Sequence, residues 1–302
     1  MSMVFYWILN MSIVAVVSGA IVMLIRSIKK IPRRYIFVLW IIPFLRLCLP
    51  FGMSSKYSLM TLLNNLLERA VAVKVSESEL FKVSVMNSIQ AVDTYHPFRY
   101  KSIVLEKVFN IGAVCWIVVA VVLLLFFAVV YIRNIVELKA TIPYKDNIYL
   151  SERIDTPCVV GIIRPRIMLP THMEINEYVI AHEKAHIKNA DNLWRVVAIL
   201  VAIVHWFNPF VWLFLKMFFA DMEKACDERV LVAVGEENRK AYAYALVGCA
   251  EQKNVFASAL SGGNVRSRIE NIISYKKLTV FAVLALGGFC VAVAFVLLTN
   301  SL

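Results

Sequence analysis

Several features of extracellular and redox proteins are missing from this chain. Its 302 residues hold six cysteines, at 48, 115, 158, 226, 249 and 290, with no CxxC pair and none between 53 and 104; nothing there makes a disulfide framework. There is no internal repeat and no low-complexity segment. The first apolar run, Met3 to Leu24, lacks a basic leader and a clear cleavage site, so it reads as a retained anchor and not as a removed signal peptide. Acids are absent from the stretch that follows, where Arg26, Lys29, Lys30, Arg33 and Arg34 stand without one. Such a cluster marks the cytoplasmic side and leaves the amino terminus outside.

What is present is apolar. Sixty per cent hydrophobic residues and a mean hydropathy of +0.71 exceed what a soluble domain carries, so the lipid bilayer is expected to be the main partner and cell membrane the location. The net charge of +11 is spread over loops flanking the apolar runs, which points to the anionic inner leaflet and away from direct nucleic-acid binding. Tyr35 to Met53 returns across the membrane as a short, irregular span containing Pro43, Arg46 and Pro50, with Arg46 expected to snorkel to the outer interface. Residues 54–104 form an external loop with an amphipathic helix through Leu59, Leu62, Leu63, Leu66 and Leu67. Val108 to Tyr131 brings the chain back inside, and Leu278 to Leu298 is a last span that leaves the carboxyl terminus outside. The expected organisation is therefore an amino-terminal membrane part (1–132), a cytoplasmic domain (133–277) and a final span (278–302).

Within the cytoplasmic part, Asn147 to Leu150, Val159 to Ile163 and Arg166 to Leu169 alternate as short strands between Pro and Gly signals. Val159 to Ile163 suits either an edge strand that a substrate backbone joins or a buried core strand. Asn176 or Thr171 can start the helix after the sheet, and Asp191 is placed to cap the next one.

That first helix carries His182-Glu183-Lys184-Ala185-His186. Histidines four apart lie about 40° from each other around a helix, so both imidazoles can face one metal, with Glu183 beside a water on it. Zinc with three protein ligands keeps an open position and lowers the pKa of a bound water to about 7. His182 and His186 are then metal ligands and Glu183 the general base. A solvated amphipathic helix could carry the same residues, and a third ligand has to decide. Glu223 and Asp227, also four apart, offer it: Glu223 can reach the metal while Asp227 accepts the outer N–H of a ligating histidine. A wet surface helix with ion pairs such as Asp221 to Lys224 competes with this reading. Between the two helices, residues 193–219 are apolar for about the length of a span. Both helices must meet at one metal, so this insert cannot cross, and a re-entrant or in-plane hairpin bent at Asn208-Pro209 is expected. His205, within it, is expected to be a buried, hydrogen-bonded histidine and not a fourth ligand.

Four ordered motifs carry a resemblance: Thr156 to Pro170, the HExxH helix, Trp206-Phe207-Asn208-Pro209, and Glu223 to Glu228. Together they resemble the BlaR/MecR-type antirepressor membrane metallopeptidases, closely over residues 100–280 and loosely over the first two spans. The resemblance implies a mainly α polytopic membrane protein with a small α+β, gluzincin-like zinc-peptidase domain, Glu223 as third zinc ligand and Asp227 behind a ligand. It also implies signalling by cleavage of the chain itself or of a cytoplasmic regulator such as a transcriptional repressor. The small-residue stretch Phe256 to Gly263 is the expected self-cleavage loop. The sensors of that family carry an external penicillin-binding domain after the last span, where this chain stops at Leu302, so the stimulus is expected to enter through residues 54–104 or through a separate external or membrane partner. A quality-control peptidase and a non-catalytic, zinc-stabilised scaffold are the alternatives.

Overall fold

The computed structural model describes residues 2–28, 31–49, 55, 57, 103–137, 141–251, 265–276 and 279–299. The amphipathic helix expected within 54–104 and the cleavage loop expected at 256–263 lie outside them. Among the described residues three helices are long and apolar enough to cross a membrane: α1 (Ser2–Arg26), α4 (Ile103–Glu137) and α10 (Val280–Leu298).

The fourth expected span is instead a broken pair, α2 (Arg33–Leu39) and α3 (Ile41–Cys48), meeting at Trp40. Pro43 explains the break, because its ring displaces the carbonyl of residue 39 and it has no N–H to donate. Arg46 does not snorkel. It is 2% exposed, and its guanidinium donates to the carbonyls of Leu297 (2.8 Å, Nε) and Thr299 (2.6 Å, Nη2) at the end of α10. A helix carboxyl terminus presents unpaired carbonyls and partial negative charge, so it attracts this cation more locally than the distant interface does.

The sheet has four strands, β1 (Ile142–Lys145), β2 (Ile148–Ser151), β3 (Cys158–Val160) and β4 (Arg166–Pro170), in the order β1-β2-β4-β3. β2 and β4 pair parallel and the outer pairs are antiparallel. β3 is thus an edge, and it stops short of Ile163 because Gly161 turns the chain at φ +96°, a conformation only glycine adopts freely. Ile148, Ile167 and Leu169 bury one face of the sheet on Val179 of α5 (Glu177–Lys188). Asn176 caps that helix by accepting from Tyr178 N–H.

α6 (Asp191–Val204) and α7 (Pro209–Val234) form a helical hairpin whose second arm starts with Asn208 as cap and Pro209 in the first turn, the position where proline costs least. The hairpin tip is pinned to the membrane helices. His205 is held by Ser12 Oγ at Nδ1 (2.7 Å) and by the Leu47 carbonyl at Nε2 (3.0 Å), so it is the buried, bonded histidine expected. Ser12 lies fourteen residues before Arg26, about 21 Å along α1. Ala15, Val22, Ile36, Trp40, Phe214 and Phe218 pack α1, α2 and α7 together, and a Cβ at Gly19 would collide with the Phe214 ring. α8 (Arg239–Glu251) and α9 (Val265–Ser274) close the domain, with Tyr242 and Ile272 buried against Val230 and Leu231 of α7.

Candidate metal centre

α5 and α7 bring three side chains to one point. His182 Nε2 and His186 Nε2 are 3.1 Å apart, and the Glu223 carboxylate lies 3.6 Å from the first and 3.8 Å from the second. Donors about 2.0–2.2 Å from a tetrahedral zinc are separated by about 3.4 Å, so these spacings fit one ion. Glu183 lines the cavity of about 220 Å³ above them, with Val159 of β3, Val179 of α5 and Leu246 of α8 on its walls.

The outer nitrogens fix the inner ones. His186 Nδ1 is 2.6 Å from Asp191 Oδ2, and a carboxylate only accepts, so Nδ1 donates. Tyr242 gives its hydroxyl proton to Asp227 Oδ1 (2.6 Å) and so accepts from His182 Nδ1 (2.9 Å). In the neutral tautomers assigned by these partners, both Nε2 lone pairs face each other across the short gap. A proton on one ring or a metal ion between them relieves that, and Arg268 Nη2 already faces His182 Nε2 at 3.2 Å. The surroundings draw positive charge as well: burial opposes a charged His182, yet the adjoining Cys226 and Glu223 outweigh it and raise the ring to about 9. Burial likewise works to raise Glu223, but His186 and Arg268 hold its carboxyl well below the usual range. The donor set thus suits a divalent metal, which His182 and His186 could hold together with Glu223.

The other sequence-marked residues are placed differently from expectation. Asp227 is 3.4 Å from His182 Nδ1 and reaches it through the Tyr242 hydroxyl. Asp191 does not cap α6, since Ala190 occupies the cap position and its side chain makes no capping bond; Asp191 holds His186 instead. The carbonyls of Val159 in β3 and of Gly161 just after it already accept from Asn192 Nδ2 at 2.9 and 3.2 Å. Tyr242, Arg195 and Arg268 enter the site unannounced by motif: Tyr242 and Arg268 are lone residues far in sequence from HExxH, and Arg195, nine residues after His186, belongs to no pattern with it. Arg195 reaches Glu223 through Nη2, and Arg268 bridges Glu223 and Asp227. Cys226 lies against the back of His182, its Sγ 3.5 Å from the His182 carbonyl and 3.6 Å from Nδ1. Cys158 lines the cavity, its thiol pushed up by burial to about 12.

A helical membrane protein with a peptidase-type metal centre is the class this geometry defines, and comparison with known proteins gives the family. The chain matches the family model described as BlaR1 peptidase M56 over residues 6–273, and it belongs to that M56 peptidase family. It is 32% identical over 148 residues to the methicillin resistance mecR1 protein of Staphylococcus aureus, covering 44% of this chain and 25% of that protein. Over 141 residues it is 30% identical to the regulatory protein BlaR1 of Bacillus licheniformis, covering 44% of this chain and 24% of the relative. The BlaR1 regulatory protein of Staphylococcus aureus aligns over 291 residues at 25% identity, 83% of this chain and 48% of that one. The chain thus spans between a quarter and about half of the length of these relatives.

Proposed function

We propose that this chain is a membrane-embedded, zinc-dependent metalloendopeptidase of gluzincin type that transduces a signal by cutting itself or a cytoplasmic regulator. The convergence of His182 Nε2, His186 Nε2 and Glu223 at 3.1–3.8 Å, beneath a cavity lined by Glu183, carries the proposal. When bound, zinc supplies a Lewis acid that acidifies a water and polarises a peptide carbonyl. Glu183 takes the proton from that water and delivers it to the leaving amine. Tyr242 and Asp191 fix the orientation of the two histidines, and Asp227 acts through Tyr242. Arg26, Arg33 and Arg34 at the domain side of α1 and α2 favour a cytoplasmic site with both termini outside. The hairpin of α6 and α7, seated along α1 with Trp194, Leu200, Phe210 and Trp212 exposed, favours a re-entrant insertion that sets the cavity at the inner membrane surface.

One observation favours the scaffold alternative. Cys226 offers a sulfur donor within 4.8 Å of nitrogens of His182 and His186, and a closed set of four protein donors makes a structural zinc site. Against this, Sγ bonds the His182 carbonyl and sits at Nδ1, the side of the ring away from Glu223. The membrane proteome and self-cleavage compared between cells carrying wild type and Glu183→Gln test the proposal: a product missing only from the variant is expected, and identical patterns would leave the scaffold. An external-compartment reporter should be active fused after Leu302 and silent fused after Asn176.

A further inference from the structure

Arg268 reaches the metal centre from α9, outside the two helices that carry the motifs. Its Nε and Nη2 donate to Asp227 Oδ2 (2.9 Å) and Oδ1 (2.7 Å), a fork on a carboxylate that is fully buried. Such a pair is directional, and rotating the guanidinium away would leave a buried charge alone. The remaining nitrogens are therefore fixed at the cavity wall: Nη1 lies 3.2 Å from Glu223 Oε2 and Nη2 lies 3.2 Å from His182 Nε2. The second of these contacts is shared, because the same Nε2 lone pair is the one the donor set gives to a metal. Once it is committed, the Nη2–H needs another acceptor, since a buried unpaired donor is costly. The cavity it lines, with Glu183, offers room for an oxygen there. Arg195 is a weaker candidate for that role: its side chain is 37% exposed and touches Glu223 through Nη2 alone.

We propose that Arg268 holds the carbonyl oxygen of the peptide bond being cut, an assignment that rests on the peptidase reading above. As the water oxygen bonds to the carbonyl carbon, its proton passes to Glu183 and the π pair moves onto the carbonyl oxygen. The Arg268 N–H strengthens as that charge builds, which is the condition for accelerating the step. When the C–N bond breaks, the pair returns to the carbonyl and Glu183 protonates the amine.

The test uses the zinc-loaded full chain in detergent and two probes. N-phosphoryl-Leu-Leu carries tetrahedral oxygens in place of the attacked carbonyl and a side chain suited to the walls of Val159, Val179 and Leu246; acetohydroxamate addresses the metal alone. In Arg268→Lys, zinc content and acetohydroxamate affinity should stay at wild-type level while phosphoryl-peptide affinity falls roughly 10- to 100-fold. Equal phosphoryl-peptide affinity in both proteins overturns the proposal. So does loss of zinc or a parallel loss of both probes, which would make Arg268 a holder of the metal site only. Should Arg268→Lys not fold, Arg268→Gln combined with Asp227→Asn is compared with Asp227→Asn alone, both loaded with zinc in excess, so that the metal-affinity loss of Asp227→Asn cancels and the same difference between the two probes is read. Wild type that binds zinc but neither probe would sink the peptidase reading itself.

Discussion

Asp227 and Glu228 are adjacent in sequence, yet their carboxylates serve opposite sides of α7. Asp227 accepts from Tyr242 and Arg268 at the metal centre; Glu228 accepts the backbone N–H groups of Arg33 (2.8 Å) and Arg34 (3.2 Å) at the start of α2. Successive helix positions turn by about 100°, which puts Glu223, Cys226 and Asp227 on one side and Asp221, Lys224 and Glu228 on the other. On that second side Asp221 accepts from Arg26 (2.7 Å) and from the Trp40 indole (2.9 Å). One helix thus ties Glu223, the proposed third ligand, to the end of α1 and the start of α2.

Removing Glu228 should loosen that tie without touching the metal. Glu228→Ala deletes the acceptor for two helix-start donors, and also the Asn271 contact from α9 (3.2 Å), at a cost of about 1–3 kcal/mol. Thermal unfolding in detergent should show a lower midpoint with zinc content unchanged. Zinc loss in this variant would mean that the two sides of α7 are not separable.

Arg46 should matter for the stability of the bundle. Arg46→Ala leaves the Leu297 and Thr299 carbonyls without their charged donor, and bonds to charged groups contribute about 1.5–3 kcal/mol each. A lowered unfolding midpoint with normal metal content is expected. A variant as stable as wild type would restore the snorkelling picture.

Metal uptake should depend on pH with a definite sign. His182 without metal is raised from its ordinary value of 6.5 to about 9, so its proton stabilises the metal-free fold fully below about 6.5, and that contribution is lost as pH rises through about 9. A metal ion must displace this proton, so zinc affinity should climb with pH up to about 9 and level off above it. Calorimetric titrations in buffers of different ionisation heat should register proton release at pH 7 that shrinks towards pH 9.5; release that stays constant would contradict it.

The two carboxylates behind the histidines should be comparable. Asp191→Asn and Asp227→Asn each weaken the hold on one ligating ring, and such changes usually cost about 10–100-fold in metal affinity or activity. Asp191 contacts His186 directly and Asp227 works through Tyr242, so Tyr242→Phe should reproduce much of the Asp227→Asn loss. Chelator competition for zinc measures all three, and a Tyr242→Phe protein with wild-type affinity would remove the relay.

Much of this site could be read in the sequence because it is local. The pairs His182 with His186 and Glu223 with Asp227 are each four residues apart, and helical spacing alone puts each pair on one face; the Asn208-Pro209 bend and the Asn176 cap are likewise signalled by neighbouring residues. The rest of the site depends on contacts distant along the chain. Tyr242 and Arg268 are single residues on α8 and α9, whose approach to His182 is set by the packing of Tyr242 and Ile272 on α7. Asp191 looked like a cap because it opens a helix, but a strong acceptor beside His186 is better used by the imidazole. The burial of Arg46 is not legible from its neighbours because its partner, the end of α10, lies some 250 residues away.

The most direct test pairs metal content by mass spectrometry with cleavage by the purified full chain, for wild type, Glu183→Gln and Glu223→Gln. Glu183 lines the cavity without being one of the three converging donors, so Glu183→Gln is expected to keep zinc and to lose a general-base contribution of about 10²–10⁴ in rate or more. Glu223→Gln should lose zinc and cleavage together, with some stability. Glu183→Gln that retains zinc and cleaves at the wild-type rate would contradict the peptidase assignment.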